Sequence, residues 1–100
     1  MSAQILTEVR ATVDADREAV LVTEFRAMTA GGAPDGLVRT ELLRGPNGQW
    51  RIHTLWRDRA ALDAMRARPE PPAAPRLFSN AGAEPSLQVY EVEYCYSAVD

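Results

Sequence analysis

The chain has 100 residues and a mass of 11.0 kDa. That is enough for one domain burying roughly 60–65% of the surface its unfolded chain exposes, and too little for a second independent core. With 46% hydrophobic and 25% charged residues, a net charge of −3 and a pI near 5.1, the composition fits a soluble globular protein and offers no basic footprint for nucleic acid.

A single domain over residues 1–100 is therefore expected. No apolar run approaches the roughly 18 residues a membrane-spanning helix needs, and Met1-Ser2-Ala3-Gln4-Ile5 lacks the basic and apolar regions of a signal peptide. No membrane partner and a cytoplasmic location are the corresponding expectations. One cysteine, Cys95, rules out an internal disulfide, and one histidine, His53, leaves no Cys/His cluster for a metal. All eleven basic residues are arginine, so chemistry that needs a lysine Schiff base is excluded. No metal site and no cofactor are expected.

Along the chain, Gln4–Val13 alternates, with Ile5, Thr7, Val9, Ala11 and Val13 on one side, and reads as a strand. Asp14 and Asp16 can start a helix near Ala15–Ala30, in which Val20, Leu21, Phe25 and Met28 recur at helical spacing until Gly31-Gly32 ends it. Leu37–Arg44 and Gln49–Arg57 flank the turn formers Gly45-Pro46-Asn47-Gly48 and predict a hairpin. Asp58 can cap a second helix with Leu62 and Met65 facing inward, ending near Arg66–Arg68 before Pro69. Pro69–Pro75 reads as extended or irregular, followed by one short turn at Arg76-Leu77-Phe78, together a packed lid. Leu87–Tyr96 closes the chain as a strand with Tyr90, Val92, Tyr94 and Tyr96 on one face and Val89, Glu91, Glu93 and Cys95 on the other.

Strand, helix, strand, strand, helix, strand predicts an α+β fold, the ferredoxin-like βαββαβ arrangement: a four-stranded antiparallel sheet with its helices on one face. The helix-free face would mix Leu6, Leu43, Leu55 and Val89 with Glu8, Arg10, Arg51, His53, Glu91 and Glu93. Such a face suits a second copy of itself, so a homodimer through the sheet faces is expected. His53 lies three residues before Trp56, and strand parity turns it to the dimer face.

Gly36-Leu37-Val38-Arg39-Thr40-Glu41-Leu42-Leu43-Arg44, followed by Trp50-Arg51-Ile52-His53-Thr54-Leu55-Trp56 and the helix opening Asp58-Arg59-Ala60-Ala61-Leu62, resembles the antibiotic biosynthesis monooxygenase superfamily. The resemblance covers nearly the whole chain. It implies a dimeric α+β barrel of ferredoxin-like protomers, each with a cavity between sheet and helices, and an activity among cofactor-independent oxygenases, quinol oxygenases and haem-degrading enzymes. It also implies that Trp56 and Arg76 match the strand-terminal tryptophan and the later arginine of the anthrone-oxidising members. The asparagine and tyrosine of those enzymes fall on Ile52 and Leu62. The first-strand asparagine and helical histidine of the haem-degrading members fall on Val9 and Arg66, which argues against haem degradation.

The expected catalytic pair is therefore Trp56 and Arg76. Arg76 would hold a phenolate or enolate by charge-assisted hydrogen bonds, and Trp56 would supply an aromatic wall and one N–H donor. Phe25, Met28, Ile52, Leu62, Met65 and Phe78 would contact a small aromatic substrate, with Tyr90 meeting it from the last strand. The alternatives are a core tryptophan locking sheet to helices and a solvated loop arginine. Two functions follow: a cofactor-independent monooxygenase converting an aromatic phenol, anthrone or hydroquinone to a quinone, or a dimeric small-molecule-binding protein that keeps the cavity without the chemistry.

Overall fold

The computed structural model describes residues 3–98, so Met1 and Ser2, part of the expected leaderless start, lie outside it, as do residues 99 and 100. Four strands, β1 (Ile5–Thr12), β2 (Leu37–Arg44), β3 (Gln49–Trp56) and β4 (Ser86–Glu91), form one antiparallel sheet in the order β2-β3-β1-β4. A 3-10 turn at Ala15–Arg17 leads into α1 (Glu18–Ala30), and α2 (Arg59–Arg66) and α3 (Ala73–Asn80) follow β3. The α+β, ferredoxin-like expectation holds. None of the helices is long and apolar enough to cross a membrane.

Local chemistry accounts for the element ends. Asp58 caps α2 by accepting from the Ala61 N–H at 2.8 Å. Asn47 and Gly48 both have positive φ, and Gln49 N–H donates to Pro46 C=O at 3.1 Å, so the β2–β3 hairpin turns tightly in the sense that matches strand twist. At Gly36, with φ near +85°, any Cβ would collide with that of Ala61, so glycine is what lets the start of β2 lie against α2.

The largest departure from the sequence reading is α3. Eight helical residues stand where an irregular stretch and one short turn were expected. Pro72 is the N-cap residue and Pro75 falls in the first turn, where a missing N–H costs nothing, so these prolines start a helix instead of preventing one. The helix is held down by Leu77 and Phe78, both buried. β4 is shorter than the expected Leu87–Tyr96. Its last residue, Glu91, pairs with Ile5, the first residue of β1, and Val92 N–H donates to Gln4 C=O just beyond. Val20, expected on the inward stripe of α1, is exposed, and Val22 packs inward beside Leu21, Phe25 and Met28.

Register settles which residues share a face. On the helix side, β1 presents Ile5, Thr7 and Val9, and β3 presents Trp50, Ile52, Thr54 and Trp56. Opposite Thr7 on β4 is Val89, and opposite Leu6 is Tyr90. Val89 therefore belongs to the helix side, where it packs with Ile5, Trp56 and Leu62, and Tyr90 to the uncovered face. Both assignments are the reverse of the sequence expectation. Alternation within β4 sorts its residues into two sets, but only its register against β1 decides which set faces the helices.

Candidate functional site

The helix-side core falls into two clusters. One gathers Val9, Val13, Leu21, Trp50, Ile52, Leu77, Phe78 and Ala81; the other gathers Ile5, Trp56, Ala61 and Leu62. A cavity of about 630 Å³ is lined by members of both, Val9 and Ile52 from the first and Trp56 and Leu62 from the second. Its volume lies within the range of small-molecule sites.

The floor is a row of hydroxyls. Thr40, Thr54 and Thr7 are aligned across β2, β3 and β1, one pleat away from Trp56 on one side and from Ile52 on the other. Trp56 Nε1–H donates to Thr7 Oγ1 at 3.2 Å, and Thr7 Oγ1–H donates to the Thr54 carbonyl at 3.4 Å. Thr40 and Thr54 share a hydroxyl hydrogen bond of 2.9 Å. Whichever of that pair donates, the accepting hydroxyl keeps its own hydrogen for another acceptor. The tryptophan N–H expected to meet substrate is thus already bonded within the fold, and the threonine row is the polar group on the floor. Its signal in the sequence was parity: Thr7 alternates with Ile5 and Val9, and Thr54 stands two residues from both Ile52 and Trp56.

The walls and mouth come from the helices and their connections. Met28, Thr29 and Gly32–Pro34 close one side, Met65 and Leu62 another, and the segment from Arg66 to Arg76 forms much of the opening. Of the residues singled out from sequence, Trp56, Arg76, Met28, Ile52, Leu62 and Met65 line the cavity. Phe78 does not; it is fully buried in the cluster around Leu21, and Phe25 packs against that same cluster. Tyr90 is turned away on the other sheet face. Arg66, Arg68 and Thr40 line the site without having been anticipated there.

Among the described residues, no histidine, cysteine or tyrosine lines this cavity. His53, the one histidine, is on the opposite sheet face, where its Nε2 lies 2.9 Å from Glu8 Oε2 and Arg51 Nη1 donates to the same oxygen at 3.0 Å. Burial pushes the Glu8 carboxyl up, but the hydrogen bonds and charges of His53 and Arg51 outweigh it and hold the carboxyl below its ordinary 4.5. These positions do not fit a haem that needs an imidazole or tyrosinate ligand inside the cavity. Among the described residues, no group of three or more His, Cys, Asp or Glu side chains is placed to hold a metal ion.

Residues 5–74 match the model of the antibiotic biosynthesis monooxygenase family, and the chain belongs to that family. No curated protein matches the sequence. Among solved structures, it is similar to a candidate antibiotic biosynthesis monooxygenase of Deinococcus radiodurans, at 15% identity and a TM-score of 0.75, over 96% of this chain and 99% of that one. SnoaB of Streptomyces nogalater, a cofactor-independent oxygenase, matches at 16% identity and a TM-score of 0.63, over 94% and 97%. The haem degrader MhuD of Mycobacterium tuberculosis, solved with two haems in its active site, matches at 20% identity and a TM-score of 0.70, over 93% and 99%. One backbone thus serves proteins of different chemistry, and at these identities the likeness carries the fold alone.

Proposed function

We propose that the protein is a cofactor-independent monooxygenase that oxidises an aromatic phenol, anthrone or hydroquinone to a quinone with dioxygen, working as a homodimer joined through the uncovered sheet faces. The observation that supports it most is the cavity: apolar walls, a hydroxyl floor beside Trp56, and Arg76 at the opening. For an anthrone, loss of a proton gives an enolate that passes one electron to dioxygen, and the radical pair combines to a peroxide. Loss of water from the peroxide leaves the quinone, so one oxygen atom enters the product and the other leaves as water. Arg76 stabilises the enolate, the free hydrogen of the Thr40–Thr54 pair reaches toward substrate oxygen, and the apolar wall limits water around the radical pair.

A second reading, a binding protein that kept the cavity, draws on one specific observation. Among the described residues, Glu70 is the sole carboxylate in the lining, it is exposed at the mouth, and no histidine accompanies it, so proton removal falls to Glu70 or to water. An oxygen electrode separates the two readings with a panel of anthrones, naphthols and hydroquinones, the spontaneous rate being subtracted. Monooxygenase activity gives protein-dependent oxygen uptake for at least one of them. Ligand-induced thermal stabilisation without any such uptake establishes the binding protein.

A further inference from the structure

The charges at the cavity mouth contrast with those of the rest of the chain. The protein as a whole is acidic, with a net charge of −3, yet among the described residues the cavity lining holds Arg39, Arg66, Arg68 and Arg76 against one carboxylate, Glu70. Of the eight arginines besides Arg66, Arg68 and Arg76 at the mouth, five are spent on ion pairs: Arg39 with Glu41, Arg44 with Glu18, Arg51 with Glu8, Arg57 with Asp58 and Arg59 with Asp63, while Arg10, Arg17 and Arg26 are outside the cavity lining. Among the described residues, none of the three at the mouth has such a partner. Three unneutralised guanidinium groups beside a low-dielectric cavity raise the local concentration of anions and offer planar, bidentate donors to them.

We infer that the substrate or ligand of this cavity is an aromatic acid, its ring system held against Trp56 and Leu62 and its carboxylate held at the mouth by Arg66 and Arg68, with Arg76 left to the reacting oxygen. The inference rests on the cavity being the ligand site, as proposed above, and adds the charge of the ligand. Carboxylate is favoured over phosphate by the backbone around the arginines. Phosphate sites draw on runs of main-chain N–H groups, usually from glycine-rich turns, whereas this rim carries Pro71, Pro72 and Pro75, which have no N–H to give. Pro69, Pro71 and Pro72 also stiffen the segment between α2 and α3, so Arg68 is presented from a chain with little freedom left to lose on binding.

The test is a matched pair of probes, 3-hydroxy-2-naphthoate and 2-naphthol, titrated by calorimetry into the full-length protein at low and at high salt. The acid should bind about tenfold more tightly than the neutral naphthol at low salt, the scale of one or two exposed charge-assisted contacts, and the advantage should shrink as salt is raised. An Arg66→Gln, Arg68→Gln double variant should lose that advantage and bind 2-naphthol as the parent does. Arg17→Gln, which removes a charge far from the mouth, should leave the preference unchanged. Equal affinity for the two probes, or a preference that survives the double variant, overturns the assignment of an acid while leaving the cavity as the ligand site. Failure of both probes to bind overturns the aromatic cavity reading and this inference with it.

Discussion

The two faces of the sheet are built from the same strands and hold their polar groups in opposite ways. On the helix side, neutral hydroxyls in a row bond to each other, to the Thr54 carbonyl and to the Trp56 N–H and leave one hydrogen to spare, beneath a mostly apolar cavity. On the uncovered side, ionisable and polar groups sit directly opposite each other: Glu41, His53, Glu8 and Gln88 form one row across all four strands, next to Leu55, Leu6 and Tyr90 in another. Even with no helix above it Glu8 is 6% exposed, because Arg51 and His53 close over its carboxylate. The proposed ligand site keeps uncharged groups with an unused hydrogen, while the face proposed to meet its own copy carries a buried carboxylate already neutralised within one chain. Paired charges with apolar neighbours suit burial against a second protomer, since an ion pair formed in advance loses less on desolvation than free charges would.

The largest expected effect breaks the uncovered face. Leu55→Asp puts an unpaired carboxylate in the proposed dimer interface, which costs about 3–5 kcal/mol, and light scattering at micromolar concentration should then report the monomer mass. Unchanged dimerisation in that variant places the interface elsewhere. Next is the ion-pair row. Glu8→Gln removes the buried charge that Arg51 and His53 share and should lower unfolding free energy by about 1–3 kcal/mol at neutral pH, read by denaturant titration. Because the folded protein holds the Glu8 carboxyl below 4.5, this contribution is complete above that value and lost as pH falls through the lower, folded one. The acid limb of the parent's stability curve should therefore flatten in the glutamine variant. The smallest effect is on the helix side, where Thr7→Val takes away the acceptor of the Trp56 N–H at nearly constant volume. A loss of about 1 kcal/mol with a change in tryptophan fluorescence is expected, and no change in either would mean that the hydroxyl row contributes nothing.

The difference between the faces also explains what could be read from the sequence. In β1 and β3 one set of alternating residues is plainly more apolar, so Ile5, Val9, Ile52 and Trp56 were assigned to the helix side and His53 to the other correctly. In the expected strand Leu87–Tyr96 both sets contain valine and large side chains, through Val89 and Val92, and the choice between Val89 and Tyr90 rests on a register that no local pattern encodes. Thr7 and Thr54 had the right parity, but threonine in a strand reads as ordinary β propensity until a cavity is seen above it. Phe25 and Phe78 had the composition of a cavity wall and went instead to the core beside Leu21, because helical spacing fixes a face but not which of two neighbouring clusters it fills. Of the arginines at the mouth, Arg76 is the one the family resemblance points to; Arg66 and Arg68, at and just beyond the end of α2, read as ordinary charged residues closing a helix until the cavity is seen beside them.

Oxygen consumption by Arg76→Ala tests the central claim most directly. Arg76 lies at the cavity mouth, on the exposed side of α3, so its removal should leave the melting temperature within a degree or two of the parent, roughly the effect of a surface substitution. If the guanidinium stabilises the substrate anion that reduces dioxygen, protein-dependent uptake with the best substrate of the panel should fall about 30-fold, equivalent to about 2 kcal/mol of transition-state stabilisation. An Arg76→Ala variant that folds and consumes oxygen at the parental rate would contradict the account.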